Sequence, residues 1–564
     1  MNKLFQGLVA VAATCACAGV MAQAADTLAP PMSYLGKSGT LYELVLQQPA
    51  ANIPGLMPAT EMAQKHPPMI VDIDAPPPGL QASLSSPALQ NAAPTLAAAV
   101  VGANFEGPGV GLSGFNMTGA PPDTTIAVGP NHVVAWVNSM FAMMDKSGNV
   151  LSLANGNTLF VGTGNLCETT NRGDPILQYD RQARRWILSQ FAFNVNGAGS
   201  PIAPYLQCIA VSTSDNPLGT YHRYAIQFSS QTTNNFNDYG KLGIFNDAYY
   251  TAYNVFGGSP AGSNTGVALC ASDRTKMLAG DPTATTLCAP VTFYGGGASF
   301  LPADVDGTTA PTTTAQGNIF MRLSTAPALR MVKLKPDFAA GTVTLNDGFG
   351  GATGSFVNMP LAATVRACNG GGGTCVPQAG TTTKLDTLGD RLMYRLAYRN
   401  RGGVDSLVVS HAVDPDGAGS RAAAVRWYEI RSPFSATPTM YQNATYNPDG
   451  NDRWMSSIAM DKAGNMMMGY SVSSAAMKPA VRVTGRLRSD IRNQMRAEQS
   501  LIEGTGAQTV RSSGTALTRW GDYTTMQVDP ADDCTFWFIG QYLAADGVFN
   551  WRTRVGSYRF ANCV

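Results

Sequence analysis

Aspartate and arginine residues recur along the chain, each close to the start of a short apolar run. The early sites are acidic, whereas the last three carry arginine beside aspartate. Carboxylates that face each other can act as acid and base across a glycosidic bond, and a guanidinium group binds carboxylate or sulfate in a bidentate way. If one fold gathers these side chains, they form a site with an acidic and a basic side. The acidic residues are Asp123, Asp174 and Asp238, and the basic ones are Arg391, Arg453 and Arg519.

The last site combines both kinds of group within five residues, Arg519-Trp520-Gly521-Asp522-Tyr523. A tyrosine near a carboxylate can serve as a nucleophile. We therefore predict a catalytic set and a ligand-binding set, with no metal ligand in either. The predicted catalytic residues are Asp123, Asp238, Asp522 and Tyr523. The predicted ligand-binding residues are Asp174, Tyr239, Lys241, Arg391, Arg453 and Arg519.

Each of these residues also has a purely structural interpretation. Aspartate at the start of a strand often accepts hydrogen bonds from the backbone of its own turn. Arginine beside aspartate often does no more than pair with it. For any single residue the structural role is the stronger expectation, whereas for the group as a whole a functional role is.

The polar sites open units of short β-strands. In the first unit, residues 125–128, 132–137, 141–144 and 150–153 are predicted strands, separated by turns such as Gly129-Pro130-Asn131. Four antiparallel strands form one blade of a β-propeller, and recurrence of one unit indicates a repeat fold. We predict an all-β fold, a seven-bladed β-propeller, with six blades as the alternative. The openings lie at residues 123, 174, 238, 304, 390, 452 and 519.

The fourth and seventh units are the least regular. In the fourth, Asp304-Val305-Asp306-Gly307 is the predicted opening loop, ahead of a strand at 317–323. The seventh has three obvious strands and ends with residues 551–560. Because a propeller hides its sheet edges by closing the ring, we expect residues 100–105 to supply the missing strand. All openings would then meet at one end of the central channel.

The N-terminal hundred residues differ from the rest. Lys3, an apolar stretch at 4–21 and Ala22-Gln23-Ala24 predict a signal peptide at 1–24. A lipoprotein signal is the rival interpretation, although neither cysteine of the leader has leucine three positions upstream. Residues 25–100 are rich in proline and alanine and predict a linker or pro-region, strand-like only at 41–46 and 69–74. The propeller domain is predicted over 101–564.

The cysteines fit an exported protein. Two of the ten lie in the leader, and the remaining eight are an even number, which favours disulfides in an oxidising compartment. No close pair of the CxxC or Cys/His kind indicates zinc. The eight fall into four sequential pairs, each short enough to close within one unit. We predict the disulfides Cys167–Cys208, Cys270–Cys288, Cys368–Cys375 and Cys534–Cys563.

Charge limits the range of partners. With 38 basic and 37 acidic residues, the whole chain has no strong attraction to nucleic acid or to an anionic membrane. No segment after the leader has the roughly 18 apolar residues of a membrane span. We expect a secreted or periplasmic monomer that binds a glycan or another cell-surface ligand. No cofactor is expected, except that Asp304-Val305-Asp306-Gly307 and Asp414-Pro415-Asp416-Gly417 offer clustered oxygens to calcium.

Two motifs, together with the other openings, carry a family resemblance. Asp238-Tyr239-Gly240-Lys241-Leu242-Gly243 and Asp461-Lys462-Ala463-Gly464-Asn465 resemble secreted bacterial propeller proteins of the sialidase-like, Asp-box (BNR) type. The resemblance covers about residues 101–564. Sialidases have six blades, an Arg-Ile-Pro stretch and Asp boxes that end in tryptophan. This chain lacks Arg-Ile-Pro, and its turns at Asp145 and Asp461 are boxes without the tryptophan.

The resemblance implies a glycoside hydrolase, here one that acts on a glycan that carries negative charge. A fold does not determine an activity, so two alternatives stay open. One is a non-catalytic module that binds glycan or protein. The other is a polysaccharide lyase, in which tyrosine or histidine removes a proton beside a uronate and product absorbance reveals the new double bond.

Overall fold

A computed structural model describes most of the chain, and in the described part the chain is mostly β-strand, in small antiparallel sheets. The predicted signal peptide at 1–24 and the strand expected at 69–74 lie outside the described residues. The described residues are 27–47, 89–94, 99–116, 119–229, 234–289, 299–312, 317–324, 328–346, 357–361, 365–368, 373–415, 423–510, 514 and 516–564.

Antiparallel units follow one another along the chain, and short turns join the strands of a unit in sequence order. In the first turn, the amide of Gly129 donates to the carbonyl of His132 at 2.9 Å. The four strands predicted for the first unit are confirmed. Unit 1 contains Thr124–Val128, His132–Val137, Met140–Asp145 and Val150–Asn155; unit 2 contains Ile176–Asp180, Arg185–Val195, Pro201–Ser212 and Tyr221–Gln227; unit 3 contains Asn235–Ile244, Ala248–Gly257, Asn264–Asp273 and Thr286–Ala289.

The second half of the chain continues the pattern. Val357–Pro360 adds to the third strand of unit 4, and Val365–Arg366 adds to the second strand of unit 5. Unit 4 contains Leu301–Asp306, Asn318–Leu323, Ala328–Asp337 and Thr342–Asn346; unit 5 contains Met393–Arg401, Val404–Asp414, Ala424–Arg431 and Thr439–Tyr446; unit 6 contains Asp452–Met460, Met466–Ser474, Met477–Arg486 and Gln499–Ile502; unit 7 contains Thr525–Val528, Phe536–Leu543 and Trp551–Arg559.

The connections carry the remaining elements. Asn165 caps one short helix by accepting the amide of Cys167 at 2.9 Å, and Asp273 caps another by accepting the amide of Lys276 at 3.1 Å. These elements are the 3-10 helix Gly156–Phe160, the helices Leu166–Thr169 and Arg274–Ala279, and a hairpin of Thr374–Gln378 and Thr381–Asp386 between units 4 and 5.

The first strands of the units contact one another in a closed circuit. The first strand of each unit touches that of the next, and the first strand of unit 7 touches that of unit 1. Between units 4 and 5 this contact is a parallel ladder, with Ala303 opposite Leu396 and Asp306 opposite Arg399. Because parallel neighbours begin at the same edge of a sheet, the openings of these two units lie at the same end.

The first strands are buried on both faces. All residues of Thr124–Val128, Ile176–Asp180 and Leu301–Asp306 are buried, so they lack the polar alternation of a half-exposed strand. Buried polar side chains need partners, and here they find each other. Gln178 donates to Asp304 Oδ2 at 2.8 Å, and Gln527 donates to Gln178 Oε1 at 2.8 Å.

The two ends of the chain join in unit 7. Val100–Glu106 pairs antiparallel with Trp551–Arg559, with Phe105 opposite Val555. The prediction that residues 100–105 complete the last unit is therefore confirmed. This pairing covers the edge of Trp551–Arg559, which otherwise presents unpaired backbone groups.

The predicted opening of unit 4 is wrong. Asp304 and Asp306 lie inside the first strand Leu301–Asp306, not in a loop before it, and residues 318–323 form the second strand. From sequence alone, two aspartates in a buried strand cannot be told from those of an aspartate-rich turn when the residue that pairs with them is far away along the chain. That partner is Arg395, whose Nε donates to Asp304 Oδ2 at 2.6 Å, and Arg395 also pairs with Asp306.

The N-terminal residues that the structure describes lie along the outer strands. Met32–Lys37 pairs antiparallel with Tyr221–Gln227 of unit 2. Leu89–Gln90 pairs parallel with the last strand of unit 5, and Gln90 Oε1 accepts the amide of Met495 of unit 6 at 2.8 Å. The segment thus ties outer strands of different units together.

Residues 41–46, predicted as strand-like, form the helix Leu41–Gln47 instead. The amide of Thr40 donates to Glu43 Oε2 at 2.7 Å, and the amide of Glu43 donates to Thr40 Oγ1 at 3.4 Å. This reciprocal arrangement is a capping box. Leu41 and Leu44 are buried at helical spacing. The Thr-x-x-Glu capping signal was present in the sequence, but the alternation of apolar and polar residues at 41–46 suggested a strand.

Four disulfides are present, and they are the pairs predicted from sequence order: Cys167–Cys208, Cys270–Cys288, Cys368–Cys375 and Cys534–Cys563. Four such bonds are typical of proteins from oxidising compartments. A separate observation concerns membranes: no helix in the described residues combines the length and apolar character that a transmembrane segment requires.

Candidate functional site

The loops before the first strands, together with the first strand of unit 3, bring nine of the ten predicted site residues together. The predicted opening at Asp238 is not a loop, because Asp238, Tyr239 and Lys241 lie within the strand Asn235–Ile244, at an irregularity of its pairing. The carboxylate oxygens of Asp123, Asp174 and Asp522 lie within 4.8 Å of one another, although Asp123 and Asp522 are 399 positions apart in sequence. We call this group the opening cluster. It consists of Asp123, Asp174, Asp238, Tyr239, Lys241, Arg391, Arg519, Asp522 and Tyr523.

Two buried aspartates form the floor of the opening cluster. Asp123 Oδ1 accepts the amide of Asp522 at 2.8 Å, and its Oδ2 accepts Asn138 Nδ2 at 2.9 Å. The carboxylate of Asp522 pairs with Arg519. Burial, together with the negative charges of Asp522 and Asp174, raises the pKa of Asp123 well above its usual range. These carboxylates are engaged by the protein itself, which favours a positioning role.

A buried lysine lies between two tyrosine rings. Lys241 Nζ is 3.4 Å from the ring centroid of Tyr239 and 4.3 Å from that of Tyr523, a cation–π arrangement on both sides. Nζ also donates to the carbonyl of Gly240 at 3.0 Å. Burial lowers the pKa of Lys241 to about 8, against the opposing effect of Asp174 and Asp522. The lysine charge therefore depends on the charges of the neighbouring carboxylates.

Asp174 and Asp238 are only partly buried and stand at the rim of the opening cluster. Asp174 Oδ1 accepts the hydroxyl of Tyr523 at 3.1 Å. Burial raises the pKa of Asp174 to about 6, with Lys241 acting in the opposite direction. Burial, reinforced by the charges of Asp174 and Asp522, raises the pKa of Asp238 to about 8. Both carboxyls therefore ionise less readily than a free aspartate, and Asp238 less readily than Asp174.

Two of the three predicted arginines reach the opening cluster, and both are paired there. Arg391 forms a bidentate pair with Asp390, Nε to Oδ1 at 2.7 Å and Nη2 to Oδ2 at 2.9 Å, and its guanidinium carbon is 4.8 Å from the Tyr239 ring centroid. Arg519 pairs with Asp522. An anion would therefore have to compete with a carboxylate already bound to each guanidinium group.

Arg453 does not join the opening cluster. Its guanidinium group donates to Asp449 through Nη1 at 2.8 Å and Nη2 at 2.9 Å, to Glu498 through Nε at 3.0 Å and Nη2 at 2.9 Å, and to the carbonyl of Asn451 at 2.9 Å. All five N–H donors of an arginine are thus used. Of the three arginines predicted to form the basic side of the site, two therefore remain in the opening cluster.

The backbone at the cluster adopts unusual conformations. Asp123 has φ +47°, Asp174 has φ +49° and Tyr239 has φ +55°, in the left-handed region that side chains other than glycine rarely occupy. Such conformations persist only where the surrounding structure holds them, and they concentrate at functional sites. The left-handed conformation thus recurs at Asp123 and Asp174, which precede first strands, and at Tyr239 within the first strand of unit 3.

Two residues near the cluster escaped the sequence analysis. Asp386 precedes unit 5, and burial together with the charges of Asp390 and Asp522 raises its pKa to about 6. Asn138 holds Asp123 through its side chain, and its amide donates to the carbonyl of Pro122 at 2.7 Å. The sequence around Asn138 does not indicate a site residue, because Asn138 follows the second strand of unit 1 and does not lie at the start of a unit. Asp386 could have been found from its nearness to Asp390.

Cation binding has one candidate place among the described residues. The three carboxylates of Asp123, Asp174 and Asp522 could hold a metal ion, but Arg519 and Lys241 already supply positive charge there. At Asp304-Val305-Asp306-Gly307, the first motif that could offer oxygens to calcium, Arg395 pairs with both carboxylates. In the second calcium motif, Asp416 and Gly417 lie outside the described residues.

Comparisons with known proteins give a distant likeness only. No family model matches the chain, and no curated protein shows significant sequence similarity to it. Among solved structures, an α-L-arabinanase from Penicillium chrysogenum is 8% identical, with 82% of this chain and 100% of that chain covered and a TM-score of 0.33.

Two further solved structures are similar to the same extent. A GH93 α-L-arabinofuranosidase from Fusarium graminearum is 8% identical, with 81% of this chain and 98% of that chain covered and a TM-score of 0.34. A sialidase from Trypanosoma rangeli is 9% identical, with 69% of this chain and 54% of that chain covered and a TM-score of 0.30. At such identities and TM-scores these likenesses assign neither a family nor an activity to this chain.

Proposed function

We propose that the chain is an exported seven-bladed β-propeller. The closed circuit of first strands and the joining of the two chain ends in unit 7 support this count. The propeller domain would span 101–564, preceded by a cleaved signal peptide at 1–24 and an outer segment at 25–100. The four disulfides support a secreted or periplasmic location.

The proposed activity is hydrolysis of a glycosidic bond at the opening cluster. One observation carries it: two carboxyl groups at the rim, Asp174 and Asp238, have pKa values raised to about 6 and about 8. Carboxyl groups whose environments separate their pKa values can divide the roles of acid and base. Asp238 keeps its proton at neutral pH and is the acid, whereas Asp174 is ionised and is the base.

In the proposed reaction, the Asp238 proton moves to the glycosidic oxygen as the bond from that oxygen to the anomeric carbon breaks. Asp174 takes a proton from the incoming water, whose oxygen bonds to the anomeric carbon. Both protons are accounted for, and no further reagent is needed. Tyr523 holds Asp174 through its hydroxyl at 3.1 Å, while its own 1% exposure makes it a positioning group and not the nucleophile first predicted.

The substrate we propose is a neutral glycan. The charge pairing at the opening cluster favours a neutral glycan over an anionic sugar, because Arg391 and Arg519 are already paired with Asp390 and Asp522. A charged substrate would also bring a further negative group beside Asp174 and Asp238. Sugar hydroxyls, in contrast, can donate to these carboxyl oxygens without added charge repulsion.

Binding without catalysis is the second candidate, and the floor of the cluster favours it. Asp123 accepts hydrogen bonds from Asn138 and from the Asp522 amide, and Asp522 pairs with Arg519. Carboxylates held in this way suit a rigid binding surface. A lyase has less support, because its base must accept a proton, whereas the Tyr523 hydroxyl donates to Asp174 and to the Pro175 carbonyl at 2.8 Å.

A panel of aryl glycosides and polysaccharides separates these candidates. The wild-type protein is expected to release aryl alcohol or reducing sugar from a neutral glycoside, with α-L-arabinofuranosides, hexosides and sialosides all included. Binding on a glycan array with no product from any substrate would leave the non-catalytic module. Product that absorbs through a new double bond would establish the lyase instead.

A further inference from the structure

A group of arginines lies at the end of units 5 and 6 that is opposite to the opening cluster. Arg401 ends the first strand of unit 5, and Arg431 ends its third. Arg488 and Arg492 follow the third strand of unit 6, Met477–Arg486. First and third strands of an antiparallel unit run in the same direction, away from the openings. We call Arg401, Arg431, Arg488 and Arg492, together with Tyr441 and Ile491, the basic face.

The basic face is well separated from the candidate active site. A strand of nine residues such as Met393–Arg401 spans about 26 Å at the usual rise per residue. Direct contact of one ligand with both regions therefore requires an extended molecule. An event at the basic face can be measured without disturbing Asp174 or Asp238.

Positive charge at the basic face exceeds the negative charge available to it. Asp490 is paired with Arg496, and Glu429 with Arg431. Within the described part of the chain, no carboxylate lies at salt-bridge distance from Arg401, Arg488 or Arg492, in contrast to the buried arginines discussed above. The acidic groups that act on Arg401 are Glu429, which is paired with Arg431, and Asp461, which is buried and accepts a hydrogen bond from Asn465. In the described residues Arg401, Arg488 and Arg492 therefore keep no ion-pair partner.

Two of these arginines converge on one glycine. A Cβ atom at Gly464 would lie 2.9 Å from Arg401 Nε and 3.3 Å from Arg488 Cδ. Gly464 belongs to the Asp461–Asn465 turn noted in the sequence, where Asn465 Nδ2 donates to Asp461 Oδ2 at 2.7 Å. The turn itself is therefore structural, and its glycine gives room for like charges to approach. Burial, with the charges of Arg488 and Arg431, lowers the pKa of Arg401.

The aromatic ring of the basic face, Tyr441, already contacts two guanidinium groups. The guanidinium carbon of Arg431 is 3.2 Å from the ring centroid of Tyr441, and that of Arg492 is 4.9 Å from it. A ring used to stack on a sugar must have a free face. This arrangement therefore disfavours a polysaccharide as the partner of the basic face.

An apolar side chain projects between the two most exposed arginines. Ile491 is 74% exposed, and Arg488 and Arg492 on either side of it are exposed as well. The loop has a fixed shape, because buried Arg486 donates through Nη2 to the carbonyls of Asp490 at 2.7 Å and Ile491 at 3.2 Å. An exposed apolar tip flanked by cations is the combination that enters the headgroup region of an anionic bilayer.

We propose that the basic face docks the protein on a membrane surface that carries anionic phospholipid headgroups. Arg401, Arg488 and Arg492 contact the phosphates, and Ile491 enters the boundary between headgroups and acyl chains. The opening cluster then faces away from the bilayer, toward soluble or extended glycans. The near-neutral charge of the whole chain does not oppose this, because attraction at a surface falls off within about one Debye length.

Vesicle co-sedimentation tests the proposal on the full-length mature protein. The wild type is expected to sediment with phosphatidylglycerol vesicles and to stay in solution with phosphatidylcholine vesicles. R488Q/R492Q should weaken the partition about 25-fold, since each arginine near such a surface contributes about fivefold. The matched control K384Q/K478Q removes the same charge at the opposite end, where Lys384 is exposed and Lys478, the second residue of the strand Met477–Arg486, pairs with Asp546. This control should bind as the wild type does.

Three results would overturn the proposal. They are equal binding by R488Q/R492Q and by the control pair, equal sedimentation with both kinds of vesicle, and retention on dextran sulfate without retention on vesicles. I491S should weaken vesicle binding while leaving its salt dependence unchanged, because it removes an apolar contact and no charge. Hydrolysis of a soluble substrate should be the same in all these variants, which separates this test from that of the proposed activity.

Discussion

The D238N variant is expected to lose about a thousandfold in kcat/KM on a natural glycan or a phenyl glycoside. General acid catalysis by a positioned side chain contributes about 10²–10⁴-fold, and an amide cannot donate the proton that a neutral carboxyl donates. The measurement is initial rates with two leaving groups. With a dinitrophenyl glycoside, whose leaving group needs little protonation, D238N should fall only a few-fold.

The leaving-group comparison separates chemistry from structure. A variant that merely distorts the site loses activity on both substrates, and equal losses would remove Asp238 from the role of acid. D215N is the matched control, because Asp215 pairs with Arg184 at an exposed position, and it should retain full activity. Folding offers a second check: the raised pKa of Asp238 means that its ionisation opposes the folded state, so D238N should be no less stable than the wild type above pH 8.

The R395A variant is expected to lower the free energy of unfolding by about 3–5 kcal/mol, the range for breaking a buried ion pair. The Arg395 side chain is fully buried, pairs with Asp304 and Asp306, and donates through Nη1 to the carbonyl of Met526 at 3.0 Å. Its removal leaves two buried carboxylates without their main compensating charge. Guanidinium denaturation, followed by tryptophan fluorescence, measures the effect.

R184A provides the matched control for R395A. The Arg184–Asp215 pair has side-chain exposures of 63% and 37%, so solvent screens it and its loss should leave the unfolding midpoint nearly unchanged. A triple variant, R395M/D304N/D306N, removes Arg395 together with both of its carboxylate partners and should recover part of the stability. Arg181, which also pairs with Asp306, keeps Asp533 as a partner. If R395A and R184A changed the unfolding midpoint equally, the first strands would not depend on this buried network.

The sequence was informative where a side chain stands next to a recognisable strand. Asp123, Asp174 and Asp522 precede first strands, Asp238 lies within one, and a ring of such strands gathers these residues at one end. Residues 100–105 could be assigned to the last unit because an open ring would leave an edge unpaired. Sequence order likewise predicted the cysteine pairs, because each unit folds locally.

Prediction failed where the deciding contact is made between distant units. Arg453 looks like Arg391 in sequence, but Glu498 and Asp449 take its donors. Asp304 looks like a turn residue until Arg395 of the next unit is placed beside it. The basic face was missed for the same reason, since Arg401 and Arg488 are 87 positions apart and meet only at Gly464.

Roles within the opening cluster also depend on packing. From sequence we predicted a catalytic role for Asp123 and a ligand-binding role for Asp174, and the proposed function reverses this assignment. In the structure both oxygens of Asp123 accept hydrogen bonds from protein groups, whereas Asp174 stands at the rim. Burial differences of this kind arise from the whole ring and cannot be read from the local sequence.

The pH dependence of kcat/KM for a neutral aryl glycoside is the most direct test of the acid–base assignment. The wild type should give a bell, with activity lost below about pH 6 as Asp174 takes up a proton and above about pH 8 as Asp238 loses its own. D174N should abolish the acidic limb along with most of the activity. A flat profile across pH 5–9, or two limbs unchanged in D174N, would contradict the account.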